Sequence, residues 1–203
     1  LVPYVATYTI YGSGDVVIDH RIEMPADFPV LPRVGVRMHL PAAVSRMTWF
    51  GRGPHESYPD RKSSAAVGLY SGAVRDQFVP YGRPQENGNK SDVRWAAFTT
   101  PEGRGLFVAG DTLLHVSAHH YTLENLTAAA HPTDLEDGPD VTVNLDLHQA
   151  GLGGDDSWSP RTHPEYQITP GTFRYRTRLR PVAPGGNLLE ATTYRLPGVD
   201  EAD

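Results

Sequence analysis

Apolar and polar residues alternate one for one in several separated stretches of this chain, and that spacing leaves few folds open. Val16, Ile18, His20, Ile22 and Met24 stand opposite Asp15, Val17, Asp19, Arg21 and Glu23. Val34, Val36, Met38 and Leu40 oppose Arg37 and His39, and Val141, Val143, Leu145 and Leu147 oppose Thr142, Asn144, Asp146 and His148. Phe173, Tyr175, Thr177 and Leu179 alternate with Arg174, Arg176, Arg178 and Arg180. Successive side chains on a strand point to opposite faces, so a period of two predicts β-strands with one face toward a core. Residues 4–11 read as a further strand, followed by the hairpin chemistry of Gly12-Ser13-Gly14-Asp15. Shorter candidates lie at 47–50, 93–99, 106–109 and 115–118. Only 121–130 has a helical start, with Thr122 as N-cap ahead of Leu123 and Leu126. Twenty glycines and 18 prolines in 203 residues suit short strands joined by tight turns. The expected fold is all-β, one antiparallel β-sandwich domain over residues 1–203 with few short helices, and 183–203 is expected to be an extended tail.

Several classes of function are disfavoured at this level. A net charge of −6 argues against a nucleic-acid partner, and the Arg174–Arg180 set reads as the solvated or interface-facing edge of a strand. The absence of cysteine removes disulfides, thiolate zinc sites and cysteine nucleophiles. No apolar run reaches the length of a membrane-spanning helix, so no membrane partner is expected. Among the nine histidines, His115 and His119 share a strand face while His120 points away, and no HExxH spacing occurs, so no metal site is expected. The chain opens at Leu1 directly in strand-like sequence, without a methionine or signal pattern, as a piece of something longer would.

The chemistry is expected in three long loops, 51–64, 79–92 and 151–164, each rich in Gly, Pro, Asn, Asp and Ser. Residues 151–160 read Gly-Leu-Gly-Gly-Asp-Asp-Ser-Trp-Ser-Pro: glycines that free a turn, two carboxylates, a serine and an indole. Trp158 is either a platform for the C–H face of a sugar or a core tryptophan closing one end of the sandwich, whereas Trp49 and Trp95 fall in strands and read as core. Asp155 and Asp156 invite comparison with a glycosidase pair, but a retaining pair stands ~5–5.5 Å apart across the scissile bond. Adjacent residues in a tight loop diverge, so Asp155, Asp156 and Ser157 read as loop braces or sugar contacts, and Glu56, Glu86 and Asn87 receive the same reading. Gly151-x-Gly153-Gly154 is not a phosphate cradle, because two carboxylates follow it and Pro160 and Pro164 oppose a helix.

Taken in order, these loops carry a resemblance. Trp49-Phe50-Gly51-Arg52-Gly53-Pro54-His55-Glu56-Ser57-Tyr58-Pro59-Asp60-Arg61 resembles the W-x-G-x-G-P-x-E-x-Y-x-D-R block of LacZ-type β-galactosidases, in their small-chain (C-terminal) domain. Pro84-Gln85-Glu86-Asn87-Gly88 is similar to their P-x-E-N-G block, residues 151–160 resemble a third signature, and Leu31-Pro32-Arg33-Val34-Gly35 resembles the segment before the first. The likeness runs from about residue 31 to 181. It implies a galactose mutarotase-like supersandwich and membership of glycoside hydrolase family 2. It further implies that the two catalytic glutamates and the principal magnesium site lie in a separate barrel domain, with none of the catalytic residues here. Magnesium and sodium would belong to the full enzyme, which would be cytoplasmic and homo-oligomeric. Trp158 would then meet the aglycone sugar of a β-galactoside such as lactose. Two other roles are compatible with the residues, an autonomous carbohydrate-binding module and a structural or oligomerisation domain.

Overall fold

The computed structural model describes residues 2–156, 158–159 and 161–196. Nine strands follow in chain order: β1 (Tyr4–Ile10), β2 (Val16–Glu23), β3 (Arg33–Pro41), β4 (Arg46–Gly53), β5 (Ala66–Ala73), β6 (Lys90–Thr99), β7 (Gly105–His119), β8 (Asp140–Gln149) and β9 (Thr172–Val182). Two short helices accompany them, α1 (Leu123–Ala128) and α2 (Leu188–Thr193). All pairings are antiparallel, in the order β1-β2-β9-β7-β6-β4-β5, with β8 joined to β7 and β3 to β8.

The long strand β7 makes this open sheet a sandwich. Its first half, Gly105 to Gly110, pairs with β9, and its second half, His115 to His119, pairs with β8. A strand that changes partners along its length turns a corner and carries the chain from one layer to the other. The sequence predicts two separate strands here. They are one because Gly110 bends without breaking, at a point where a Cβ would stand 2.6 Å from the Thr112 carbonyl oxygen. Met47, Trp49, Phe98, Leu114, Val143 and Leu145 meet between the layers, every second residue of their strands. Each such side chain contributes roughly 1.5–3 kcal/mol of burial.

Other differences from the expectation have local causes. Strand β5 was not anticipated, because Gly68 and Gly72 interrupt its apolar pattern; its ladder with β4 holds it in place. Strand β9 is not an edge: β2 and β7 flank it. Three of its arginines face carboxylates, Arg176 on Asp19 at 2.8 Å and Arg178 on Asp15 at 2.8 Å, with Arg180 3.5 Å from the same Asp15. Asp15 is wholly buried. Helix α1 is shorter than the predicted span, and Thr122 caps it by accepting from the Asn125 N–H at 3.1 Å. Residues 183–196 do not run out as a tail. They turn back into α2, which Asn187 caps, and set Ala191 and Leu188 against Trp95 and Phe107. Residues 199–203 of the predicted acidic end lie outside the described residues.

Candidate functional site

The three long loops converge at one end of the sandwich, and each predicted residue that the structure describes has a definite place there. Glu56 links the first two loops. Its carboxylate accepts from the Gly88 N–H at 2.7 Å, from Arg61 Nη2 at 2.7 Å and from the Tyr81 hydroxyl. Asn87 closes the second loop on itself: its side-chain oxygen accepts from the Val79 N–H (3.1 Å) and its amide donates to the Gln85 carbonyl (2.8 Å). His119 donates from Nε2 to the Asn87 carbonyl oxygen at 3.0 Å, and burial pulls this imidazole down to about 4, so it serves as a neutral donor.

Glu86 faces inward. It accepts from Arg33 Nη2 at 2.5 Å and from the Tyr58 hydroxyl at 3.2 Å. Arg33 also reaches Gln149 (3.0 Å) and, at 3.7 Å, Asp146, whose side chain is 3% exposed. Burial pushes the Asp146 carboxyl up to about 7 against the downward pull of Arg33. Burial likewise raises Glu86 and Tyr58. One guanidinium therefore anchors two carboxylates beneath the loops, on a polar sheet face that α1 partly covers. Arg33, Tyr58, Arg61 and Asp146 were not among the predicted site residues, although the first three stand inside the quoted motifs.

The third loop is tied to the first and braced within itself. Gly151 donates to the Tyr166 carbonyl at 2.9 Å, and Gly153 donates across the molecule to Asp60 Oδ2 at 2.7 Å. Gly153 and Gly154 have φ of 67° and 85°, left-handed values that disfavour other residues. Asp155 pairs with His163 at 2.6 Å; that hydrogen bond raises the imidazole and lowers the carboxyl. Asp156 Oδ1 accepts from the N–H groups of Trp158 and Ser159, each at 2.7 Å. Ser157 lies outside the described residues. Trp158 is 93% exposed, whereas Trp49 and Trp95 are buried.

The backbone at Gly151 to Gly154 separates two clefts. One, of about 670 Å³, is lined by Leu31, Arg33, Glu86, Gln149, Leu152 and Arg161 among others. The second, of about 470 Å³, is lined by Asp60, Arg61, Asp155, His163 and Tyr166 among others. Among the described residues no group of three or more His, Asp or Glu converges to hold a metal ion. His115 and His119 lie on one strand face, and both are held neutral by burial, at about 4.

Comparison with known proteins places the chain in a family. Residues 2–179 match the family model described as beta galactosidase small chain. A β-galactosidase of Priestia megaterium is 42% identical over 162 residues, which is 80% of this chain and 16% of the relative. One from Vibrio cholerae is 39% identical over 173 residues (85% and 16%), and one from Lactobacillus delbrueckii subsp. bulgaricus is 39% identical over 166 (79% and 16%). The chain thus spans about one-sixth of the length of these curated relatives. It belongs to the β-galactosidase small-chain family.

Proposed function

We propose that this chain is the C-terminal domain of a retaining β-galactosidase acting on terminal β-D-galactosides such as lactose, and that it shapes the substrate entrance and the aglycone site. The observation that carries the reading is Trp158, a fully presented indole on a loop braced through Gly151, Gly153, Asp155 and Asp156. A pyranose offers an apolar C–H face that an indole covers, and aromatic contacts of this kind contribute ~0.5–1.5 kcal/mol beyond burial. The carboxylates of the loop are already engaged, Asp155 with His163 and Asp156 with backbone N–H groups, which suits bracing and not proton transfer. The double-displacement chemistry, through a covalent galactosyl-enzyme, is assigned to two glutamates of a separate barrel domain. Magnesium and sodium belong to that remainder, and no step here runs through them.

The other domains of the same enzyme need surface to rest on. Strand β1 is an edge strand without a charged residue, and its Tyr4, Val5, Tyr8 and Ile10 are exposed, which favours a packing role in a homo-oligomeric enzyme beside the substrate role. An autonomous sugar-binding module is less well supported, since the Tyr4 hydroxyl is bonded to His20 Nδ1 at 2.9 Å. A cytoplasmic location is part of the same proposal; no described helix is long and apolar enough to cross a membrane.

Trp158→Ala in the full-length enzyme is the test. The Michaelis constant for lactose should rise roughly 2- to 10-fold, the equivalent of the stacking energy. The melting temperature should hold, because an exposed side chain contributes within about 0.5 kcal/mol to stability. An unchanged constant for lactose removes Trp158 from the aglycone site.

A further inference from the structure

We propose that Asp60 is the positioning residue for the Trp158 loop, so that a carboxylate 93 residues away in sequence sets where the indole stands. The inference rests on the reading of Trp158 as a substrate contact and adds the group that aims it. Three observations carry it. Asp60 Oδ2 accepts from the Gly153 N–H at 2.7 Å, a charge-assisted bond at the one turn among the described residues where two successive residues have positive φ. Gly151, two residues earlier, leaves no room for a side chain: a Cβ there would stand 2.6 Å from Thr162 Oγ1, 2.7 Å from Asp60 Cγ and 2.7 Å from Asp60 Oδ2. The Asp60 carboxylate and Thr162 therefore both close on the loop backbone at Gly151, and this is the clasp. Finally, its neighbour Arg61 is bonded to Glu56 and to the Tyr81 hydroxyl, each at 2.7 Å. The first loop thus holds the second with one residue and the third with the next.

The remaining atoms of the clasp say what the position requires. Asp60 Oδ1 and Thr162 Oγ1 are buried and have no hydrogen-bond partner among the described residues. Only one carboxylate oxygen is committed to the loop. Asparagine can still offer an acceptor oxygen to the Gly153 N–H, whereas alanine offers none. The acceptor oxygen at Oδ2 is what the loop needs, and the charge strengthens the bond that it makes.

Two measurements test this. In the 203-residue chain, hydrogen exchange at the Gly153 amide should quicken at least tenfold in Asp60→Ala and stay near the parent rate in Asp60→Asn. Unchanged exchange in Asp60→Ala overturns the clasp without reference to activity. In the full-length enzyme, Asp60→Ala should raise the lactose Michaelis constant by about the factor seen in Trp158→Ala, with turnover largely retained. Adding it to Trp158→Ala should change nothing further, since residues acting through one contact are not additive. An equal effect in both backgrounds shows that Asp60 acts elsewhere and overturns the proposal. If Trp158→Ala alone has no effect, the aglycone reading fails, and the exchange result still decides whether Asp60 holds the loop. Gly151→Ala, which pushes Asp60 away by its Cβ, should copy Asp60→Ala in the exchange measurement.

Discussion

Replacing Arg33 with leucine should destabilise the domain by roughly 3 kcal/mol at pH 8, the low end for removing one partner of a buried ion pair. The guanidinium lies against Glu86 at 2.5 Å and Asp146 at 3.7 Å, with exposures of 21%, 26% and 3% for the three side chains. Leucine keeps the stem's apolar contacts but removes the cation that Glu86 and Asp146 share, leaving Arg37 alone to favour the charged form of Asp146. For a domain of this size the loss corresponds to a fall of roughly 6–12 °C in melting temperature. The pH dependence identifies the cause. Asp146 is raised from its ordinary 3.8 to about 7, so between those values the folded state holds more protons than the unfolded state. Stability at this site therefore grows as pH falls from about 7 toward 4. Without Arg33 the carboxyl rises further, and the deficit of the variant should be large at pH 8 and much smaller at pH 5. Thermal unfolding at the two pH values checks this; an equal loss at both would mean that Arg33 acts by packing alone.

Gly35→Ala should cost about 3 kcal/mol or more, two residues away and for a different reason. A Cβ at Gly35 would stand 2.4 Å from the Asp146 Cα and 2.6 Å from the Leu145 carbonyl oxygen, both backbone atoms of the paired strand. The β3–β8 ladder shifts register between Val34 and Gly35, and beside this bulge Arg33 reaches Asp146 at 3.7 Å. A flexible side chain could move aside; a strand in a ladder cannot do so without breaking its hydrogen bonds, which puts the substitution beyond ordinary overpacking. Gly82→Ala is the control: nothing lies within 4 Å of a Cβ there, and the change should stay within about 0.5 kcal/mol. Denaturant midpoints of the two variants give the comparison, and similar values would contradict the close approach.

What the sequence revealed and what it concealed divide along the range of the interactions. Alternation located β2, β3, β8 and β9 because one face of each meets the core, a property each strand carries by itself. It misplaced β9 as an edge, because whether an arginine faces solvent or Asp15 depends on which strand arrives beside it. It also missed α2, whose six residues (Leu188–Thr193) show no periodicity long enough to register and which is stabilised by Trp95 and Phe107. At the site, the residue types of the Trp158 loop were readable, since exposed indoles and turn-forming Gly-Asp sequences act locally. The pairings that hold the site were not: Asp60 with Gly153 and Arg33 with Asp146 join residues far apart in the chain. Their only trace in the sequence was that Arg33, Tyr58, Asp60 and Arg61 sit inside the motifs that carry the resemblance.

The proposed division of labour, with the aglycone contact on this chain and the chemistry elsewhere, is tested most directly by the fate of the galactosyl-enzyme. In the full-length enzyme, the fraction of that intermediate transferred to added glucose, relative to water, should fall several-fold in Trp158→Ala, while the rate of forming it from an activated aryl galactoside stays within about twofold, because a lost stacking contact of ~0.5–1.5 kcal/mol acts on glucose alone. An unchanged ratio of transfer to hydrolysis, or a collapse in the rate of formation, would mean that Trp158 is not the aglycone contact.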